Sequence, residues 1–437
     1  MKSVATHVLP LIIITASFFV FSGDVPDDRL SLAASSDCVT CHEQETPGAV
    51  SDWKLSKHFE EDVTCDDCHG DGHSTADDAH EAEIPTAETC DTCHPERVEQ
   101  FKAGKHALAW AAMKAMPTIH WQPTGLSEGM KGCGGCHKIG IKTEEEIAEL
   151  KENGSGFGNA SCDACHTRHT FSAKEARQPE ACQTCHMGFD HPQWEMYSSS
   201  KHGVRHELKK SGALPPGASA PTCQTCHMSD GDHGVITPWG FLAVRLPLPE
   251  NEQWSADRVT ILQALGVLDP DGQPTARLEV VKQAKLARLD EEEWQAGRDK
   301  MITICGDCHS ENFARAELQK GDDFIRDIDH LMAEAIREVV GLYEDGIVDA
   351  PESYAYAFPD LLTFHDAPTP VEQRLFVMFM KHRMRAFQGV FHANPDYALW
   401  YGWSEMVQDL SEIRHMAEGL RTADRVEAER QRQKKSP

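Results

Sequence analysis

The 16 cysteines of this 437-residue chain fall into eight Cys-x-x-Cys pairs, and histidine follows every pair. They are Cys38/Cys41 with His42, Cys65/Cys68 with His69, Cys90/Cys93 with His94 and Cys133/Cys136 with His137. The rest are Cys162/Cys165 with His166, Cys182/Cys185 with His186, Cys223/Cys226 with His227 and Cys305/Cys308 with His309. Structural zinc uses paired cysteines but has no need of a histidine directly after the second one. A disulfide at this spacing closes a very small loop. Covalent haem c requires the whole pattern: two thiols add to the vinyl groups, and the adjacent imidazole reaches the iron. The pattern therefore predicts eight covalently bound haems c, each iron held from one side by its motif histidine.

The sixth position of each iron decides its chemistry. A second protein ligand makes the haem an electron carrier, and an open position makes it a place for reaction. Enough of the 24 histidines remain to close all eight irons, so counting does not force an open one. Local context selects candidates. His58 in "WKLSKH", His106 in "FKAGKH" and His202 in "YSSSKH" share an aromatic–spacer–Lys–His pattern. His73 and His169 closely follow motif histidines, His233 lies in a loop after the seventh motif, and His120 precedes the fourth. These seven are the expected sixth ligands, with His80 and His206 in reserve. His365, His382, His392 and His415 fall in helical sequence and fit structural roles equally. Asp190-His191 differs, because a carboxylate beside an imidazole is a proton-handling pair. Asp190 also stands where it could cap a helix opening near Pro192.

Macrocycles this numerous replace much of a side-chain core. Spacers such as "CDDCHGDGHSTADDAHEAEIPTAETC" are rich in turn residues, so short helices and loops wrapped on haem are expected rather than strands. Beyond about residue 276 the pattern turns helical. Asp290 with Glu293 reads as a cap opening a helix toward Cys305. Ile325, Ile328, Met332, Ile336, Val339 and Tyr343 share one face of a long amphipathic helix, His330 falls off that face, and a further helix is expected over Val371–Val390. The expected fold class is thus mainly α: an octahaem region over 24–309, then a long-helix region over 310–437 serving packing or oligomerisation. Residues 1–23 carry one lysine and an apolar run, Val8 to Phe21, that fit an export signal, so a periplasmic location is expected. A net charge of −28 argues against nucleic acid as a partner.

The eight motifs in this order, with "MGFDHPQWEMYSSSKHGVRHEL" (187–208), "PWGFLAVRLPLP" (238–249) and "FHANPDYALWYGW" (391–403), resemble the hydroxylamine oxidoreductase family of octahaem cytochromes c. That resemblance implies a catalytic fourth haem on Cys133 and Cys136, with His137 as its proximal ligand and Asp190 and His191 on its distal side. It implies seven bis-histidine carriers, a mainly helical homotrimer, and a redox partner that is a cytochrome or a quinol-linked multihaem cytochrome. The implied activity is an oxidoreductase interconverting hydroxylamine and nitrogen oxides, leaning to nitrite reduction to hydroxylamine or ammonia. Hydroxylamine-oxidising members carry a tyrosine from a neighbouring subunit bonded to the catalytic haem; Tyr356, Tyr397 and Tyr401 are the candidates here. The alternatives are hydroxylamine oxidation to nitric oxide or nitrite, and a non-catalytic electron-transfer protein.

Overall fold

The computed structural model describes residues 36–114, 134–152, 161–235, 248–283, 290–349, 356, 358–362 and 367–435. The expected export segment, His120, Cys133 and His365 lie outside them. Among the described residues there is no strand, only an isolated antiparallel bridge between Leu268 and Pro274. The expectation of helices and loops holds.

Up to residue 235 the helices are short, such as Lys57–Glu60, Gly134–His137 and Lys201–Lys210. Each of these three carries a motif histidine or one that faces it. From 248 onward they lengthen. Asp290 caps the helix Glu291–Cys305 through the Glu293 amide at 2.6 Å. Ser310 caps the helix Glu311–Glu344, and Gly346 follows it at positive φ, a conformation glycine adopts without strain. The six residues of its apolar stripe are all buried, and His330 is exposed as its position off the stripe requires.

This helix packs on Glu252–Ala264 and on Ser404–Lys435, and one apolar cluster from Ile261 to Ala417 fills the space between them. The core thus draws on residues ahead of the last motif. The helix expected over Val371–Val390 runs as Pro370–Val377, a wide π segment Met378–Arg383, and Met384–Phe391. The chain reverses at His392–Asn394, and a second π segment, Ala398–Trp403, lies against Met384–Phe391. Two glycines permit that approach. A Cβ on Gly402 would overlap the Ala386 backbone, and one on Gly389 would stand 3.0 Å from Ala398 Cα. Asn394 ties this hairpin to the motif region, donating to Met196 O at 2.9 Å and to Ser199 Oγ at 2.8 Å.

Candidate functional site

Each motif histidine faces an imidazole from elsewhere in the chain. The ring centroids lie 6.1 Å apart for His42 and His73, 6.3 Å for His69 and His169, and 6.3 Å for His94 and His58. They lie 6.3 Å apart for His166 and His233, 6.0 Å for His186 and His106, 6.3 Å for His227 and His392, and 6.2 Å for His309 and His202. His137 faces His191 at 6.4 Å. Two imidazoles bound on opposite sides of one metal ion, with bonds of about 2.0–2.1 Å, place their centroids about 6 Å apart. The residues present therefore fit irons held between paired histidines.

The second nitrogen of several of these rings is already engaged. Nδ1–H donates to a backbone carbonyl in His69 (Glu83 O, 3.0 Å), His137 (Ala109 O, 2.8 Å), His233 (Gly231 O, 2.8 Å) and His392 (Gln388 O, 2.7 Å). In His73 it meets the Asp78 carboxylate at 3.0 Å. Fixing Nδ1 orients the ring and leaves Nε2 for a metal. Burial also disfavours the imidazolium. It pushes His186 down to about 3 and His227 to about 4, and it lowers His58, His106, His137, His166, His169, His202, His233 and His392. A neutral ring is the state that ligates.

The recurring Lys-His context has a physical basis in two of its three instances. Ser56 accepts from the Phe59 amide at 3.1 Å and Ser200 from the Gly203 amide at 3.3 Å, each opening a helix with lysine first and histidine second. The cap fixes the first turn and so aims the histidine. At His106 a glycine, Gly104, stands in the serine's place, and the Lys105 amide is held instead by Val235 O at 2.9 Å.

Six of the seven histidines chosen from local context (His58, His73, His106, His169, His202, His233) face a motif imidazole, and His120 lies outside the described residues. His392, grouped with possible structural histidines, occupies the place opposite His227. It sits at the hairpin tip, far in sequence from any motif, and its clue was its place in the aromatic stretch 391–403. His382 is buried and bonded to Asp409 at 2.6 Å, a structural role. His80 is exposed beside Glu81, and His206 faces no motif imidazole among the described residues. Among the candidate tyrosines, Tyr356 and Tyr401 are exposed, and the Tyr397 and Tyr401 rings lie 5.0 Å apart.

Asp190 does not cap a helix. The helix Gln193–Ser199 opens at Pro192 without a side-chain cap. The Asp190 carboxylate instead meets His191 Nδ1 at 3.0 Å. Burial raises the Asp190 carboxyl, but the hydrogen bond and charge of His191 outweigh this and hold it below the ordinary carboxylate range. Gln388 donates weakly to Asp190 O at 3.4 Å, joining the C-terminal hairpin to this loop. His191 also lies 6.0 Å from His186, so it stands between the fourth and sixth motif histidines. The arrangement can hold a proton on Nδ1 of His191 and present Nε2 as acceptor or donor opposite His137.

The cysteines expected to attach haem differ in how far the protein chain covers them. Cys41, Cys93, Cys136 and Cys308, each the second thiol of its pair, are exposed. The described first thiols, from Cys38 to Cys305, are only half-buried, and so are Cys68, Cys165, Cys185 and Cys226. The thiols of a pair stand three positions apart, nearly one helical turn, so both lie on the same short face. The motifs are themselves in contact: Cys90 lies against Cys162, Cys182 against Cys223, and Cys185 against Cys136. The described cysteines form no disulfide. Among the described residues no helix is long and apolar enough to cross a membrane.

The chain matches the family described as seven times multi-haem cytochrome CxxCH over residues 61–244 and 276–353, more than half of its length. These stretches contain seven of the eight motifs; the first lies within a match to cytochrome c554 and c-prime over residues 25–70. The chain is 26% identical over 485 positions to a probable nitrite reductase-hydroxylamine oxidoreductase fusion protein of Kuenenia stuttgartiensis, across 88% of this chain and 51% of that protein. It thus spans about half the length of this curated relative. Among solved structures it resembles a Kuenenia stuttgartiensis reducing HAO-like protein complex, with a TM-score of 0.67 and 25% identity over 90% of this chain and 86% of that one. It also shares its fold with a hypothetical multiheme protein, with a TM-score of 0.63 and 20% identity over 92% of this chain and 100% of that one. With CxxCH motifs that attach haem c covalently, a mainly α fold and these relatives, the chain belongs to the multihaem CxxCH cytochrome family and resembles hydroxylamine oxidoreductase-like proteins in fold.

Proposed function

We propose that the protein carries eight covalent haems c and acts as an exported enzyme that reduces nitrite to hydroxylamine or ammonia. Seven haems would be held by the histidine pairs described above and pass electrons. The eighth, on Cys133 and Cys136, would be held by His137 and take the substrate. The observation that carries this reading is the placement of the Asp190–His191 pair opposite His137. The words nitrite reductase and reducing in the relatives' names support the direction.

A haem iron held from one side supplies an open coordination position and electrons. Proton delivery falls to the chain. Nitrite reduction must expel oxygen as water, which needs several protons delivered at the reacting atoms. The Asp190 carboxylate fixes the proton on His191 Nδ1, so Nε2 can donate when the ring is charged and be recharged between steps. Partners in this reading are a small nitrogen oxyanion, a cytochrome or quinol-linked multihaem electron donor, and two further copies in a homotrimer.

One observation favours a pure electron-transfer reading. The His137–His191 separation matches those of the other pairs, so His191 could itself close the fourth iron. Electron paramagnetic resonance of the purified protein separates the two. The proposal expects one high-spin haem among low-spin ones, a signal that nitrite perturbs, and formation of hydroxylamine or ammonia with a reduced dye. Only low-spin haems, unmoved by nitrite, would leave the electron-transfer reading. The exposure of Tyr401 and Tyr356 keeps them accessible to a neighbouring subunit; a haem peptide carrying a linked tyrosine, seen by mass spectrometry, would turn the reading to hydroxylamine oxidation.

A further inference from the structure

His206 is a histidine that the haem pairs leave over. It lies on the helix Lys201–Lys210, beside Glu207, and the short helix Glu180–Gln183 brings Glu180 to the same place. One ligand atom from each of Glu180, His206 and Glu207 lies within 4.8 Å of the others. His206 Nε2 and Glu180 Oε2 are both out of contact with solvent, and neither has a hydrogen-bond partner. A buried donor or acceptor left unmade is destabilising, so two at one point call for an explanation.

We propose that Glu180, His206 and Glu207 form a binding site for a divalent transition-metal ion of the Zn²⁺ type, separate from the haems. An imidazole with two carboxylates suits Zn²⁺ better than Ca²⁺ or Mg²⁺, which prefer all-oxygen shells. Ligand bonds of about 2.0–2.2 Å require these atoms to close together by roughly 1 Å, a shift that the exposed Glu207 side chain can supply. Lys210 pairs with Glu180 through Oε1, which leaves the unpartnered Oε2 for the ion.

The ion would act as a clamp. Glu180 stands two residues ahead of Cys182 in the sixth motif. His206 and Glu207 share a helix with His202, whose ring faces His309 of the eighth motif. One ion would thus fix the sixth motif against the helix that carries the partner of the eighth. It would also supply partners for the two buried atoms.

The test uses the full haem-loaded protein, stripped with chelator and dialysed against Zn²⁺, with bound zinc counted by elemental analysis against haem. Wild type should hold one more Zn²⁺ per chain than His206→Ala or Glu180→Gln. Each variant should bind that ion at least about tenfold more weakly. Lys210→Met, which removes a competing positive charge, should bind it more tightly. Zn²⁺ should raise the melting temperature of wild type but not of His206→Ala. Equal zinc content in wild type and His206→Ala, or Ca²⁺ binding in preference to Zn²⁺, would overturn the site. Neither readout depends on turnover, so failure of the nitrite assignment would leave it untouched.

Discussion

The stretch that carries the first seven motifs and the helices beyond residue 248 bury themselves by different means. Among the described residues between 36 and 235 the buried apolar side chains are scattered, and the cluster they form is Trp110, Met113 and Leu150. From Ile261 onward thirty buried residues make one continuous core. The first region has spent its sequence on cysteines, imidazoles and turns, and its centre is where macrocycles belong. The second follows the ordinary rule of an apolar stripe buried against other stripes. A chain can thus hold two kinds of core, one supplied by cofactor and one by side chains, and the two should fail differently.

The largest effect should come from withholding haem. Expression in a host without the attachment machinery should leave residues 36–235 without a core. Hydrogen exchange should show fast amide exchange through that region, while Glu311–Glu344 keeps slow exchange. Equal protection in both regions would show that the motif region has a sufficient core of its own.

The next break is aimed at the other core. Asp329 is fully buried. It accepts from Arg383 Nη2 at 2.7 Å, Arg258 Nη1 at 3.0 Å and Trp254 Nε1 at 2.9 Å. Asp329→Ala removes this shared carboxylate from two buried guanidinium groups and should cost about 3–5 kcal/mol. Denaturant unfolding followed by far-ultraviolet dichroism measures it, while the haem absorption of the folded variant should stay at the wild-type position. A loss under about 1 kcal/mol would mean that the cluster contributes little.

What the sequence made legible divides along the same line. Motif histidines could be named because covalent attachment ties chemistry to a five-residue string. Ile325 to Tyr343 could be named because a helix face is set by spacing. Most histidines facing the motifs could be chosen because a cap or a short loop places them locally. His392 could not, because a hairpin between two long helices brings it to His227 across the molecule, and the stretch 391–403 around it does not record which motif it meets. The π segments stayed hidden too, as did the close approach of Gly402 to Ala386 and of Gly389 to Ala398, since such contacts leave no periodic trace. Asp190 was open to two readings because capping residues and proton-handling residues share chemistry, and the backbone at Pro192 separated them.

His392 is where the two regions meet, so it sharpens the comparison. His392→Ala should convert one haem from low to high spin while costing far less stability than Asp329→Ala, since its ring faces the motif region rather than the apolar core. Unchanged low-spin signals would remove His392 from the paired set and return its place opposite His227 to another residue.

The smallest expected effect bears on turnover. Asp190→Asn keeps the size and polarity of the side chain and removes its charge. The pair lies on a loop, and the Gln388–Asp190 O contact that ties it to the long helices is made by the backbone and kept by the substitution. Haem content and melting temperature should therefore stay near wild type. Asparagine can still bond His191 Nδ1, but it no longer stabilises a charged imidazole. Losing such a group costs at least about tenfold in rate, equivalent to about 1.4 kcal/mol in the barrier. His191→Ala should lose as much or more. Because Asp190 is held below the ordinary carboxylate range, it keeps its charge between about pH 6 and 8, and what Asp190→Asn removes is support for the charged imidazole, so the deficit should be larger at pH 8 than at pH 6. Nitrite turnover by stopped-flow with a reduced dye checks both the size and the pH trend. A deficit that grew as pH fell would place the relevant charge on another group, and full activity in both variants would take the proton-handling role away from the pair.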